Sequence, residues 1–234
     1  MSRGLFVTGT DTNVGKTVVS AAIVALRRAR GSVRYWKPVQ TGIEQGPSAS
    51  LGTVPSTSLA AGDDTAEVAR LAGCAPDEIL DAGVRLPRPV SPHLAAQLAG
   101  VAISIESITA MRGAVAGGGA TASFWVVEGA GGVLVPLNDR QLMIDLMVHL
   151  ALPVVVVART AVGTINHTLL TLEALRQRGL DVAFVVMSGE PDDAARQAIA
   201  QHGRVRVYAL PRLTPLTPQA LASWAASSGT SWPI

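Results

Sequence analysis

The sequence predicts an α/β fold with a mostly parallel β-sheet and helices on both faces, and three observations carry that prediction. Short apolar runs of strand type alternate with helix-period segments along nearly the whole chain, the pattern of crossover-connected parallel strands. The strongest run, Ala151-Leu-Pro-Val-Val-Val-Val-Ala158, is rich in β-branched valine and far shorter than a membrane span, so it reads as a central strand buried on both faces. The segments of chemical interest each follow such a run, at the carboxyl ends where parallel sheets bind their ligands.

Taken in order, the strands are expected at Leu5–Thr8, Val33–Lys37, Phe124–Glu128, Pro153–Ala158, Val182–Met187 and Val205–Leu210. Helical patterns are expected over Lys16–Arg30, Asp64–Ala72, Pro92–Ala99, Ile105–Ala116, Arg140–Leu150, Asn166–Arg178 and Asp192–His202, with one short helix near Gln219–Ala226 in a proline-punctuated tail. Gly42–Gly62 is rich in Gly, Ser, Pro and Thr without periodicity and reads as a long mobile loop; Gly113–Ala122 reads as a flexible connector. No linker divides the chain, so residues 1–234 are expected to form a single domain.

Composition narrows the function. Hydrophobic residues are 48% and charged residues 15%, and 19 basic against 17 acidic residues leave a net charge of +2 with no Lys/Arg cluster. Neither a nucleic-acid footprint nor a membrane segment is expected. The start lacks an apolar signal region, and the one cysteine, Cys74, admits no internal disulfide, so a cytoplasmic protein is expected. Cys74 lies in a Gly-Cys-Ala-Pro turn with nothing to activate it and reads as inert.

The stretch Gly9-Thr-Asp-Thr-Asn-Val-Gly-Lys-Thr17 joins the first strand to the first helix and ends as a phosphate-binding loop does. In that loop type backbone N–H groups turn inward to phosphate oxygens, the lysine (Lys16) reaches the β/γ-phosphates and the hydroxyl (Thr17) can ligand Mg²⁺. The common spacing puts a glycine at position 10, which is Thr here; the glycine comes one residue early, marking a deviant loop. The fold is therefore expected to be that of the P-loop NTPases. Lys37, at the end of the second strand in Lys37-Pro-Val-Gln-Thr-Gly42, is a second cation that could meet phosphate or developing charge. In Val126-Val-Glu-Gly-Ala-Gly-Gly132 a buried strand delivers Glu128 to the position where a carboxylate takes Mg²⁺, and Gly129, Gly131 and Gly132 permit close backbone approach. Asp63 or Asp64 opens the next helix, as cap or as a further Mg²⁺ oxygen; spacing does not choose. Ser91-Pro-His93 and Gly163-Thr-Ile-Asn-His167 are helix starts with N–H donors for a carboxylate, where His93 and His167 read as capping or packing residues. No Ser-His-Asp set or His/Cys cluster appears.

Together GTDTNVGKT, KPVQTG, the acid after a variable loop, SPH, VEGAGG with its following PL, LPVVVVA and GTINH resemble the dethiobiotin synthetases over nearly the whole chain. Asp11 stands where other deviant-loop proteins carry a lysine. A partitioning ATPase would be expected to show that lysine, and a cobyrinate-type amidoligase would add a glutaminase domain with a nucleophilic Cys. The resemblance implies an ATP-dependent carboligase that builds the ureido ring from 7,8-diaminononanoate and CO₂ or bicarbonate, through a carbamate and a carbamic-phosphoric anhydride, releasing ADP and phosphate. It implies catalytic Lys16 and Lys37, and Mg²⁺ on Thr17, Asp64 and Glu128. Nucleotide contacts would come from Asn13, Val14, Gly15, Lys16, Thr17, Val18, Asp64, Glu128, Gly129, Ala130, Gly131, Ser188, Gly189, Pro211, Arg212 and Leu213. Substrate contacts would come from Thr12, Thr41, Pro92, Gly163 and Asn166. A homodimer with the substrate site at its interface is implied too. Ser188-Gly189 replaces the Asn-Asp pair with which relatives read adenine, so other triphosphates are admitted beside ATP.

Overall fold

The computed structural model describes residues 3–43, 63–116 and 123–234. Most of Gly42–Gly62 and of Gly113–Ala122, the expected loop and connector, lies outside the described residues. Residues 113–116 are the last of a helix.

Seven parallel strands form the central sheet, in the order β4-β2-β6-β1-β7-β8-β9. They are β1 (Gly4–Gly9), β2 (Val33–Trp36), β4 (Ile79–Leu80), β6 (Phe124–Gly132), β7 (Val154–Arg159), β8 (Val182–Ser188) and β9 (Val207–Leu210). Two further strands, β3 (Val39–Thr41) and β5 (Val84–Leu86), pair in parallel as a separate small sheet. The helices are α1 (Lys16–Arg28), α2 (Asp64–Ala72), α3 (Pro92–Ala99), α4 (Ile105–Ala116), α5 (Met143–Leu150), α6 (Thr164–Gln177), α7 (Asp193–Gly203) and α8 (Pro218–Ser227). All six expected strands and all eight expected helices are present, with ends shifted by up to four residues; the largest shift is at β6, which runs on from Glu128 to Gly132. α5 starts at Met143 rather than Arg140 because Asn138, Arg140 and Gln141 are tied into a turn, the Arg140 and Gln141 amides both bonding Asn138 Oδ1 at 2.9 Å. The structure adds β3, β4 and β5.

Side chains alternate across each strand, so the sheet has two apolar faces. Phe6, Trp36, Val127, Val154 and Val156 face the layer built by α3–α7, with Met143, Ile144, Leu172 and Ile199 in its core. Val7, Tyr35, Val126, Val155 and Val157 face α1, α2 and α8, with Ile23, Val24, Val68 and Leu221. Burial on both faces is why the central strands read as continuous apolar runs rather than as alternating ones.

Two consequences position the site. β1 lies in the middle of the sheet, between β6 and β7, so the loop that leaves it opens between their carboxyl ends. The period of two then places Tyr35 and Lys37 on the α1 side of β2, and Glu128, two residues beyond Val126, on the same side of β6. The start of α1, with Lys16 and Thr17, stands over that face.

Candidate active site

The loop Gly9–Gly15 turns with Asn13 at φ 54° and Gly15 at φ 98°, so its last glycine sits where an L side chain is strained. Gly15 is also crowded: a Cβ there would lie 2.5 Å from Ser188 Oγ. The backbone of the loop stays joined to the sheet, with Thr10 N–H donating to the Val157 carbonyl at 2.9 Å. Lys16 is buried and folds back, its Nζ donating to the Asp11 carbonyl at 2.9 Å. Burial first, and then the neighbouring Lys37 ammonium, lower the Lys16 pKa to about 8.

Below the loop lies a compact polar cluster. Lys37 Nζ is 2.7 Å from Glu128 Oε1 and 2.7 Å from Asp64 Oδ2. Thr17 Oγ1 donates to Asp64 Oδ1 at 2.8 Å and reaches Glu128 Oε1 at 3.4 Å. Lys37 and Glu128 are buried, whereas the Asp64 side chain is 36% exposed and opens the cluster to solvent. Burial pulls the Lys37 pKa down, yet Glu128 and Asp64 outweigh it and leave the pKa raised. Burial likewise pushes Asp64 up, and Lys37 and Thr17 overcome that and hold it below the usual carboxylate range. The result is a lysine held charged between two carboxylates, with a hydroxyl at hand.

Asp63 and Asp64 take different parts. Asp63 caps α2, accepting the Thr65 N–H at 2.8 Å, while Asp64 turns into the cluster. Gly129 approaches Phe6 so closely that a Cβ would meet its ring at 2.9 Å, and Gly131 has φ 65°.

Three contributors were not singled out in the sequence. Tyr35, wholly buried, donates from its hydroxyl to Glu128 Oε2 at 3.0 Å. Burial and then the Glu128 charge raise its pKa well above the ordinary tyrosine value, so it stays a donor. Arg85 on β5 donates to the Lys37 carbonyl at 2.9 Å and reaches Thr65 Oγ1 at 3.3 Å, tying the Lys37 strand end to the start of α2. Arg159, at the end of β7, lies 3.8 Å from Asp11 across the loop mouth. For Tyr35 the signal was present: it stands two residues before Lys37, on the same face of one strand.

A protein-family model described as an AAA domain matches residues 3–220. An ATP-dependent dethiobiotin synthetase of Paramagnetospirillum magneticum is 46% identical over 219 residues, 92% of either chain. The chain belongs to the dethiobiotin synthetase family. A Brucella melitensis dethiobiotin synthetase is 44% identical, over 94% of this chain and 92% of that one. The biotin biosynthesis bifunctional protein of Bordetella avium is 43% identical over 95% of this chain, which spans only 42% of that longer protein. Among solved structures, a ParA family ATPase from Chlorobium tepidum aligns with TM-score 0.56 at 9% identity, over 96% of this chain and 98% of its own. The MinC:MinD complex from Aquifex aeolicus aligns with TM-score 0.53 at 15% identity, over 100% and 98%. At these identities the two structures speak for the single-domain P-loop NTPase fold.

The remaining residues expected from the dethiobiotin synthetase resemblance fall at strand ends, at helix starts and in the loop. Thr41 ends β3, and Pro92 is buried at the start of α3. Gly163, at φ 90°, precedes α6 with no side chain capping that helix start, and Asn166 is exposed there. Thr12 is exposed in the loop beside Asp11. Ser188 ends β8 next to Gly15, and the N–H of the following Gly189 bonds the Leu210 carbonyl at 3.0 Å, just before Pro211–Leu213. His93 and His167 each lie in the first turn of a helix, α3 and α6. Cys74 is free and half-buried, its thiol pushed up by burial, as an inert cysteine's is. No helix of the described residues is long and apolar enough to cross a membrane.

Proposed function

We propose that the chain is an ATP-dependent dethiobiotin synthetase, taking 7,8-diaminononanoate, CO₂ and nucleotide triphosphate to dethiobiotin, ADP and phosphate, with residues 1–234 acting as one domain in the cytoplasm. The single observation that carries this reading, beside the family membership, is Lys37 buried within 2.7 Å of both Asp64 and Glu128 under the phosphate loop. A nucleotide-binding module that only holds a base has no use for that arrangement.

Two carboxylates and a hydroxyl are hard oxygen donors, in the number that Mg²⁺ uses when phosphates and water complete its shell. The Lys37 ammonium already placed between the carboxylates supports the cluster's fitness for a cation. Thr17, Asp64 and Glu128 would hold Mg²⁺, which when bound supplies charge neutralisation at the β- and γ-phosphate oxygens.

The protein's own part is positioning and charge, since phosphoryl transfer needs no covalent side chain. One substrate amine takes up CO₂ and loses a proton to become a carbamate. A carbamate oxygen attacks the γ-phosphorus, the bond to the ADP oxygen breaks, and a carbamic-phosphoric anhydride results. The second amine attacks the carbonyl carbon, closing the ring as phosphate leaves. An ammonium has three protons; Lys37 spends two on carboxylates and would offer the third to carbamate or γ-phosphate oxygen. Lys16 would leave the Asp11 carbonyl for the β/γ-phosphates, with backbone N–H groups of Asn13–Val18 around them. Thr41, Thr12 and Pro92, with the backbone of Gly129–Gly132 at the end of β6, would line the diamine. The uncapped start of α6, Gly163–Asn166, would hold the far carboxylate of a substrate lying mainly in a second subunit. The apolar side chains Val162, Ile165 and Leu170, exposed along that end of α6, support a homodimer built there.

The test is phosphate release by the purified chain with Mg-ATP and bicarbonate. Release is expected only when 7,8-diaminononanoate is present, with dethiobiotin identified by mass; turnover without the diamine overturns the reading. Run at limiting ATP, CTP and GTP, the same assay is expected to show little preference for adenine, because Ser188-Gly189 offers no side-chain amide to the base.

The lowered Lys16 pKa has a measurable sign. A folded-state value near 8, below the ordinary lysine value of 10.5, means that the empty protein binds fewer protons than the unfolded chain between the two. Stability contributed by this group therefore rises as pH climbs through that window. Nucleotide phosphates reverse the cause by returning Lys16 to its charged form. Binding of ADP is expected to take up protons above about pH 8 and to weaken as pH rises, read by calorimetry in buffers of different ionisation enthalpy. Lys16→Ala should abolish the uptake.

A further inference from the structure

Glu128 is wholly buried, and its two oxygens are treated differently. Oε1 receives Lys37 Nζ at 2.7 Å and Thr17 Oγ1 at 3.4 Å, the two groups the proposed reaction uses. Oε2 receives the Tyr35 hydroxyl at 3.0 Å, and no step of the reaction calls on that contact.

We infer that Tyr35 is a positioning residue for this reaction: its hydroxyl occupies Glu128 Oε2, so that Oε1 is the oxygen presented to Thr17, Lys37 and the metal. The inference rests on the reading of Glu128 as a metal ligand and goes beyond it. Its geometry is built into the sheet. Tyr35 pairs in register with Val126 and Trp36 with Val127, so the residue after Trp36, Lys37, comes level with Glu128 and Tyr35 stands two residues before that level. Both lie on the α1 side of β2, two residues apart.

The terminal torsion of a glutamate is broad, so an unheld carboxylate turns easily. Without a donor on Oε2, Glu128 would turn both oxygens towards Lys37, drawing the ammonium deeper and giving up the orientation a metal needs. A rigid phenol on the neighbouring strand blocks that rotation at little conformational cost. Tyr35 is wholly buried beside Val126 in the α1-side core, so the ring is already fixed by packing. Partners that orient a metal-ligating carboxylate carry roughly 10–100-fold in metal affinity.

Tyr35→Phe removes one oxygen and keeps the ring. With the full chain saturated with ADP, Mn²⁺ is titrated and the free ion followed by its spin-resonance signal. The variant is expected to bind Mn²⁺ about 10-fold more weakly or worse. Its kcat should fall while KM for the diamine holds, since the diamine does not touch Tyr35. A variant that loses thermal stability but binds Mn²⁺ as tightly as the parent shows a hydroxyl that only satisfies a buried carboxylate, and overturns the inference. A parent chain that binds no Mn²⁺ with ADP overturns instead the metal reading of Glu128.

If Tyr35→Phe does not fold, 3-fluorotyrosine serves in its place. The chain has two tyrosines, and Tyr208 stacks apart from the site with Phe184 and Trp232. In a Tyr208→Phe background the single fluorine resonance, from residue 35, should move when ADP and Mg²⁺ are added together. A resonance that stays in place overturns the inference.

Discussion

Lys37→Ala is expected to lose about 100- to 1,000-fold in turnover, the range for removing one donor that meets developing charge. It should also unfold more easily. In the structure Lys37 is buried and is the counter-charge of both Asp64 and Glu128, each 2.7 Å away. Removing it leaves two neighbouring carboxylates without the ammonium between them, one of them wholly buried and both with only hydroxyl donors remaining. Breaking such a pair costs about 3–5 kcal/mol, and the exposure of Asp64 puts this case near the lower end. For a chain of this length that is a fall in Tm of roughly 6–12 °C.

The same reasoning predicts a rescue. Mg²⁺ should stabilise Lys37→Ala more than the parent chain, since in the parent the ammonium already neutralises the carboxylates. At 100 times its Kd, an ion bound only by the folded state adds about 2.7 kcal/mol, nearly the whole deficit. Thermal denaturation with and without Mg²⁺ checks both halves. A variant as stable as its parent in the absence of Mg²⁺ would mean that Lys37 does not balance the two acids.

How much of this was legible in the sequence follows from what each signal depends on. Val154–Arg159 and Val182–Ser188 announced themselves because strands buried on both faces must be apolar throughout. β3, β4 and β5 did not, because two or three residues cannot establish a period, and what defines β3 and β5 is each other. Lys16, Thr17, Lys37 and Glu128 were found through their places at strand ends and loop, which the spacing records. Asp63 and Asp64 were inseparable by spacing, and the choice falls to the turn of one helix start, which sends the first to the Thr65 N–H and the second to Thr17 and Lys37. Tyr35 was hidden for a different reason. A tyrosine in a strand reads as core, and in its ring it is core; only the hydroxyl, at 3.0 Å from Glu128, belongs to the site. Arg85 was hidden because its partners, the Lys37 carbonyl and Thr65, come together only when the small sheet forms.

Gly9→Ala is the second substitution expected to have a large effect, and it explains why the glycine of this loop comes one residue early. A Cβ on residue 9 would stand 2.7 Å from the Asp11 carbonyl oxygen, 2.7 Å from Val14 Cγ2 and 3.1 Å from Lys16 Nζ. The Asp11 carbonyl is the group on which Lys16 rests, so the methyl would push against the part of the loop that aims the lysine. Backbone cannot yield there as a flexible side chain would. Thr10, at the position of the usual glycine, makes a sheet hydrogen bond to Val157 instead, and β1 ends at Gly9. Here, then, the chain needs the missing Cβ at the last residue of the strand, while the next residue is still tied to β7. Overpacking of this kind costs about 1–3 kcal/mol of stability, and a displacement near 1 Å at a reacting group costs about 100-fold in rate. Gly9→Ala should therefore remain folded by circular dichroism while kcat/KM for the nucleotide falls by about 100-fold. Thr10→Gly, which restores the common spacing, should bring no gain in nucleotide affinity, because the close contacts that demand glycine are at position 9. Nucleotide titration of the two variants decides it: tight binding by Gly9→Ala would mean that the loop moves out of the way, and that its early glycine has no part in aiming Lys16.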